Sequence, residues 1–129
     1  MRLSQLVRRG EWRAERIVRK EGTMSTLFLS APKTRVQLAS EFYRDFYAIL
    51  QNGIGPDYAI YANIFAQLHP GIRVVVFDRD RWLQAEGVIS AVEPRPSNHV
   101  QRYHIHISNL RKVPYTSPPG VNRCGVALI

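Results

Sequence analysis

At 129 residues with one cysteine, the chain is long enough for a single hydrophobic core and cannot form an intramolecular disulfide. Its 18 basic residues against 10 acidic ones, the basic ones mostly arginine, give a net charge of +8, which favours a polyanionic partner. No uninterrupted apolar run resembles a signal peptide or a membrane helix, so we expect a cytoplasmic protein that does not bind membranes.

Residues 1–23 form a basic arm that differs in composition from the rest of the chain. It holds seven basic and three acidic residues, and its apolar residues make only an imperfect helical stripe. Lys20-Glu21-Gly22 can be encoded by a purine-rich stretch resembling a ribosome-binding site just before Met24. One hypothesis is therefore that the natural product starts at Met24 and lacks the arm. In either case we expect one domain over residues 24–129.

A strand and a long helix are the first elements predicted after the arm. Ser25 to Ser30 is a β-favouring apolar run, and Pro32 ends it. A capping box at Thr34 and Gln37 predicts a helix start, and apolar residues then recur at helical spacing up to Asn52-Gly53. The pattern predicts one helix over this stretch.

A second, shorter helix is predicted over Tyr58 to Leu68. Gly55-Pro56-Asp57 is a start signal, and apolar residues follow four apart. His69-Pro70-Gly71 is typical of a turn and ends the helix.

Three or four strands follow this turn. Ile72 to Phe77 is a β-branched run, and the charged turn Asp78 to Arg81 joins it to a strand over Trp82 to Val92, which predicts a hairpin. Gly87 marks a bulge or bend at which a small sheet can curl. After a proline-containing loop, residues 100–108 alternate as a strand, and residues 125–129 form a candidate terminal strand. These elements predict an α+β fold, a small mixed β-barrel with two to three helices packed against it.

Residues that could carry catalysis or bind a metal are few. In the strand 102–107, a period of two places Arg102, His104 and His106 on one face, which we interpret as a solvated polar face that contacts phosphate. Two histidines alone lack the third and fourth ligands of a metal site. Neither Cys124 nor the turn aspartates show the spacing of a nucleophile or a carboxylate pair. We therefore predict no catalytic residue, no metal and no cofactor.

Aromatic and arginine residues are the more informative group. Five aromatic residues alternate along the chain with basic ones: Tyr58, Tyr61, Trp82, Tyr103 and Tyr115 with Arg73, Arg79, Arg81, Arg102, Arg111 and Lys112. Flat rings that stack on bases, together with guanidinium groups that grip phosphate, are what proteins use to bind single strands and flipped bases. Trp82, beside Arg81 in a hairpin turn, is the aromatic residue that burial explains least.

The element order, with the motifs Leu68 to Phe77, Ala85 to Ile89 and Tyr103 to Ile107, resembles the PUA-like superfamily, in particular EVE, YTH and ASCH-type domains. Those families usually have an acidic residue where Ile72 stands, and often a tryptophan near Tyr58 that is absent here. The resemblance implies a small twisted barrel that reads modified or flipped bases in an aromatic pocket.

The resemblance also implies site residues. Four residues are candidates for the pocket: Ser30, Tyr58, Tyr61 and Trp82. Four basic residues are candidates for phosphate contacts: Arg81, Arg102, Arg111 and Lys112. The expected function is thus a nucleic-acid-binding module for DNA or RNA.

Two alternatives stay open at this point. The first is a metal-independent nuclease or hydrolase in which His104 and His106 supply acid and base. The second is a small inhibitor that docks on another protein, with the basic arm engaging the partner.

Overall fold

The computed structural model describes residues 25–31 and 42–129, which form a curled six-stranded mixed sheet with two short helices. The elements are β1 (Thr26–Ser30), α1 (Phe46–Asn52), β2 (Ile54–Ala59), α2 (Ala62–Phe65), β3 (Arg73–Asp78), β4 (Leu83–Arg95), β5 (Arg102–Val113) and β6 (Val126–Leu128). The strand order is β2-β5-β4-β3-β1-β6, in which β1 runs parallel to β3 and the other neighbours are antiparallel. The basic arm lies outside the described residues.

The strands predicted from the sequence are confirmed, and the hairpin between β3 and β4 is among them. Both β4 and β5 are longer than predicted, because they pair with each other from Gln84 opposite Val113 to Arg95 opposite Arg102. Pro94, which suggested a loop, pairs within this ladder opposite Tyr103. Pairing with the distant strand β5 therefore keeps residues 93–95 in β4, although the local sequence predicts a loop.

The bulge expected at Gly87 is present, since the register between β4 and β5 shifts between Glu86 and Val88. A Cβ atom at Gly87 would lie 2.6 Å from the Ser108 carbonyl oxygen and 2.8 Å from a methyl carbon of Ile107. Only a residue without a side chain allows the two strands to approach this closely.

Replacing Gly87 with alanine is therefore expected to destabilise the protein by about 1–3 kcal/mol, because the backbone of β5 would have to move. Gly120→Ala is the matched control, since nothing lies within 4 Å of its added Cβ. Urea unfolding of both variants measures the difference. Equal stability of the two variants would show that the sheet yields at the bulge.

The first helix is shorter than predicted. The capping box at Thr34 and Gln37 lies outside the described residues, but residues 42–45 are non-helical and α1 begins only after Asp45. The Asp45 carboxylate accepts from the backbone amides of Tyr47 and Ala48, which makes it the N-cap. The prediction of one continuous helix was wrong here, because apolar residues keep their helical spacing on both sides of Asp45. That spacing does not reveal the N-cap. The predicted end at Gly53, with φ 70°, is confirmed.

The second helix prediction was wrong over its first part. Residues Ile54–Ala59 form β2, and only Ala62–Phe65 are helical. β2 pairs with β5 across a register shift at Pro56-Asp57, where Asp57 has a left-handed φ of 49°. Gly55-Pro56-Asp57, which resembles a helix start in the sequence, is thus an irregularity in an edge strand. The pairing of β2 with β5 determines this structure.

The core lies inside the curl of the sheet, and one side chain bridges the curl. Tyr58, on the edge strand β2, is fully buried, and its hydroxyl donates to the Ser30 carbonyl oxygen of β1 at 2.6 Å. Three strands separate β2 from β1 in the sheet order. The sheet must therefore curl into a half-barrel for these two strands to meet. In the described part of the chain, no helix is long and apolar enough to cross a membrane.

Candidate functional site

The turn between β3 and β4 is held by one buried carboxylate. Asp78, 1% exposed, accepts from the backbone amides of Asp80 and Arg81 through Oδ1. Its Oδ2 accepts from Nε of Arg81 at 2.6 Å. The sequence reading of Asp78 as a turn residue is confirmed, and its bonds fix the backbone that presents the next residue, Trp82.

Trp82 ends this turn with an unusual combination of features. Its side chain is 74% exposed, and its backbone has a left-handed φ of 58°. That conformation costs a residue with a Cβ atom about 1–2 kcal/mol, and the exposed indole gains little from burial. Its ring stacks nearly parallel on Tyr115, with an interplanar angle of 9° and centroids 6.2 Å apart.

The segment that carries Tyr115 is fixed to the same turn. The backbone amide and the hydroxyl of Thr116 both donate to the side-chain oxygen of the buried Gln84, at 2.8 and 3.1 Å. The Arg79 guanidinium donates to the carbonyl oxygens of Pro118 and Pro119. These bonds fix the backbone that follows Tyr115 against the turn, which lowers the cost of ordering the stacked pair when a ligand binds.

Two cations lie beside a third ring, that of Tyr47. Arg81 bonds Asp78 and, through Nη2, the Asp45 carboxylate at 3.0 Å, and the bond to Asp78 is the main reason that its pKa is raised. The Arg81 guanidinium and the Lys112 ammonium lie 5.6 and 6.0 Å from the ring centre of Tyr47, which is itself half exposed. Arg81 is therefore a fixed, permanent cation between two carboxylates.

Arg111 and Lys112 lie near the end of β5. Both are exposed, and within the described ranges neither pairs with a carboxylate. β5 pairs with the start of β4 just beyond Trp82, with Lys112 opposite Ala85. Because side chains alternate between the two faces of a strand, Arg111 and Lys112 point to opposite faces of the sheet, and Lys112 is the one beside the Tyr47 ring.

We call this group the aromatic platform. Its members are Tyr47, Arg81, Trp82, Arg111, Lys112 and Tyr115. The exposed ring of Trp82, stacked on Tyr115 and followed along the surface by basic residues, is suited to a ligand with a flat apolar face and negative charge. The sequence identified four of these residues as candidates. It missed the roles of Tyr47 and Tyr115, for which the only sequence signal was aromatic identity.

The other predicted pocket residues lie elsewhere. Tyr58 is buried and bonded to Ser30, so its ring fills the inside of the half-barrel. Tyr61 is 39% exposed, and its hydroxyl lies 3.9 Å from Sγ of Cys124. Trp82 instead stacks on Tyr115. The structure thus brings Ser30 and Tyr58 together and places Trp82 in a different group.

The polar face predicted for β5 differs from expectation at one position. The apolar face of Tyr103, Ile105 and Ile107 is confirmed as buried. His104, however, is only 3% exposed, so the prediction that it lies on a solvated face was wrong. The cause is the irregularity in β2, whose Asp57 amide donates to Nδ1 of His104 at 3.1 Å. Burial lowers the pKa of His104 and so favours the neutral imidazole.

His106 and Arg102 are also engaged. Nε2 of His106 lies 2.9 Å from a carboxylate oxygen of Glu93. Nη1 of Arg102 donates to the Asp57 carbonyl oxygen at 2.7 Å, so Arg102 lies far along β5 from Arg111. Across residues 25–31 and 42–129, no three histidine, cysteine or acidic side chains are grouped as a metal site would need. The structure therefore divides the predicted phosphate ligands between the platform and Arg102.

Comparison of the chain with protein-family models, with curated proteins and with solved structures found no match, and the chemistry of the platform is accordingly the basis on which its function is interpreted.

Proposed function

We propose that this protein is a nucleic-acid-binding module that stacks bases of a single strand on the aromatic platform. Arg111 and Lys112 contact the phosphates beside the stacked bases, while Arg81, which bonds Asp78 and Asp45, fixes the turn that carries Trp82. The net charge of +8 attracts the polyanion at longer range.

The observation that carries this proposal is the state of Trp82. Folding gains little from an indole that is 74% exposed, and the left-handed backbone adds a cost. A glycine or asparagine would satisfy the turn better. A tryptophan there is explained if its ring is needed for a ligand, and base stacking is the interaction for which an exposed ring beside cations is best suited.

Single strands are the expected form of the ligand. Bases within a duplex stack on each other and expose only their edges, whereas unpaired bases offer a flat face to a ring. The platform presents ring faces on a turn rather than a helix or ribbon that fits a groove. We therefore expect weaker binding to duplexes of the same length.

Two more specific proposals are that the fold is PUA-like and that the protein reads a modified or flipped base. The curled mixed sheet with short helices supports a barrel-like α+β fold, which is the architecture that the resemblance implies. Of the four proposed pocket residues, Trp82 and Tyr61 offer exposed rings. A base-reading pocket that includes the ring of Tyr58 would require the inside of the half-barrel to open.

A salt titration tests the proposal. Fluorescence anisotropy with single-stranded DNA and RNA should show the logarithm of affinity falling linearly with the logarithm of salt concentration. For single strands the slope is about −0.7 per neutralised phosphate. The combined variant Arg111→Gln and Lys112→Gln is expected to make the slope shallower by about 1.4, corresponding to two lost phosphate contacts.

Arg123→Gln is the matched control, because Arg123 is an exposed arginine outside the platform that forms no ion pair within the described ranges. Its salt slope should equal that of the wild type. Absence of binding at low salt, or equal slopes for all three proteins, would remove the proposal.

A further inference from the structure

Asp57 is the centre of a second cluster, which shares no residue with the platform. Its side chain is 3% exposed, and its backbone is left-handed at a register shift between β2 and β5. Three arginines approach it: Arg44 and Arg102 donate to its carbonyl oxygen, and Nε of Arg95 lies 3.4 Å from Oδ1. His104 accepts from its backbone amide. We call Asp57, His104 and these three arginines the Asp57 cluster.

One atom of this cluster is not satisfied. Among the described residues, Oδ2 of Asp57 is a buried side-chain oxygen with no hydrogen-bond partner. A buried acceptor without a donor costs about 1–3 kcal/mol, and more when it is charged. Three arginines lie nearby, yet two of them bond the backbone carbonyl rather than this oxygen. The arrangement therefore holds Oδ2 of Asp57 in place without a hydrogen-bond donor.

The arginines also exceed what Asp57 can neutralise. Glu93, the other acid that acts on His104, is bonded to His106. Arg44 lies partly buried over the Tyr58 ring, with its guanidinium carbon 4.1 Å from the ring centre, and burial lowers its pKa. Positive charge held in a partly buried place attracts an anion.

We infer that the Asp57 cluster binds a nucleotide, with Oδ2 of Asp57 accepting from an N–H of the base and the arginines binding its phosphate. The choice of a nucleotide rests on the proposed function. The chemistry itself requires only a ligand that carries an N–H donor and an anionic group. The nucleotide is either free or one residue of the strand bound at the platform.

Arg95 is the residue whose movement would give a ligand access to Asp57. Its bond to Asp57 is long at 3.4 Å, and its side chain is 25% exposed, compared with 3% for Asp57. It stands at the end of β4, next to the loop 96–101. The bond uses Nε alone, so the two terminal nitrogens of Arg95 can turn outward to a phosphate. That movement uncovers the carboxylate.

The test uses nuclear magnetic resonance on the full chain, with the Asp57 amide as reporter because it donates to His104. Adenosine monophosphate should shift this amide, whereas purine riboside monophosphate, whose base has no N–H donor, should bind about tenfold more weakly. Asp57→Asn should lose the preference between the two nucleotides. Asp80→Asn, which removes an exposed carboxylate, is the control and should keep it.

Further measurements distinguish a free nucleotide from a residue of the bound strand, and the Asp57 cluster from the platform. An oligonucleotide that shifts the Asp57 amide resonance only when Trp82 is intact would identify the ligand as a residue of the strand bound at the platform, whereas a shift with adenosine monophosphate but with no oligonucleotide would identify a free nucleotide. Strand binding without a shift at Asp57 from either the strand or adenosine monophosphate would overturn the inference and leave the platform untouched. Equal shifts with inorganic phosphate alone, or equal affinity for both nucleotides in the wild type, would also overturn it.

Discussion

Trp82→Ala is expected to weaken the binding of single-stranded DNA or RNA by about 5- to 150-fold, since one stacked base contributes about 1–3 kcal/mol. The loss should appear at every salt concentration with the same slope, because no cation is removed. Anisotropy titrations of wild type and variant across a salt series measure both quantities. A slope that changes together with affinity would mean that Trp82 positions the cations rather than the base.

The same variant should fold normally. Its ring is 74% exposed, so removing it costs mainly the stack on Tyr115, about 0.5–1.5 kcal/mol. The left-handed backbone at φ 58° limits any gain from alanine. Trp82→Phe keeps a ring and is the conservative control, for which binding within a fewfold of wild type is expected. If the phenylalanine variant binds as poorly as the alanine variant, ring stacking does not explain the role of Trp82.

Tyr58→Phe is expected to destabilise the protein by about 1–3 kcal/mol at neutral pH, because the partly buried bond from the Tyr58 hydroxyl to the Ser30 carbonyl oxygen would be lost. This bond joins strands that are not neighbours in the sheet, so the variant tests the closure of the half-barrel. Chemical unfolding measures the free energy. Unchanged stability would show that the curl does not depend on the Tyr58 hydroxyl.

The difference between wild type and Tyr58→Phe should also depend on pH. Burial raises the pKa of Tyr58 in the folded protein, while in the unfolded chain the phenol has its ordinary pKa near 10. A raised folded pKa gives full stability below pH ~10 and a loss as pH rises beyond it, by up to ~1.4 kcal/mol per pH unit. Phenylalanine cannot ionise, so the two curves should converge above pH ~10. A constant difference would mean that the folded phenol ionises freely.

Tyr58→Phe bears on the site as well. If the ring of Tyr58 belongs only to the interior, the variant should bind single strands as the wild type does under conditions where both are folded. A loss of binding without a loss of stability would instead support the pocket assignment that the PUA-like resemblance implies.

Local patterns in the sequence were sufficient where neighbouring residues determine the structure. The β-branched runs of β1 and β3, the turn at Asp78 and the left-handed end of α1 at Gly53 follow from side chains within a few residues of each other. Gly87 was also identifiable, because a glycine inside a strand is typical of a bulge. At the site, the isolation of Trp82 in a polar turn indicated that its ring was not explained by burial.

Pairing between distant segments decided what the patterns could not. Tyr58 and His104 looked available to a ligand, yet both are buried because β2 pairs irregularly with β5 and the sheet curls toward β1. Asp57 read as the start of a helix and became the centre of a cluster whose arginines come from two strands and the segment before α1.

By itself, the sequence determined a basic chain with one core, the kinds of strand and turn that build it, and a tryptophan that folding does not explain. Only the tertiary structure decided which aromatic rings stay exposed, which arginines are already bonded, and which carboxylate oxygen is left without a donor. The physical reason is that burial and hydrogen-bond satisfaction depend on side chains brought together from remote parts of the chain, whereas periodicity and turn chemistry depend on adjacent residues.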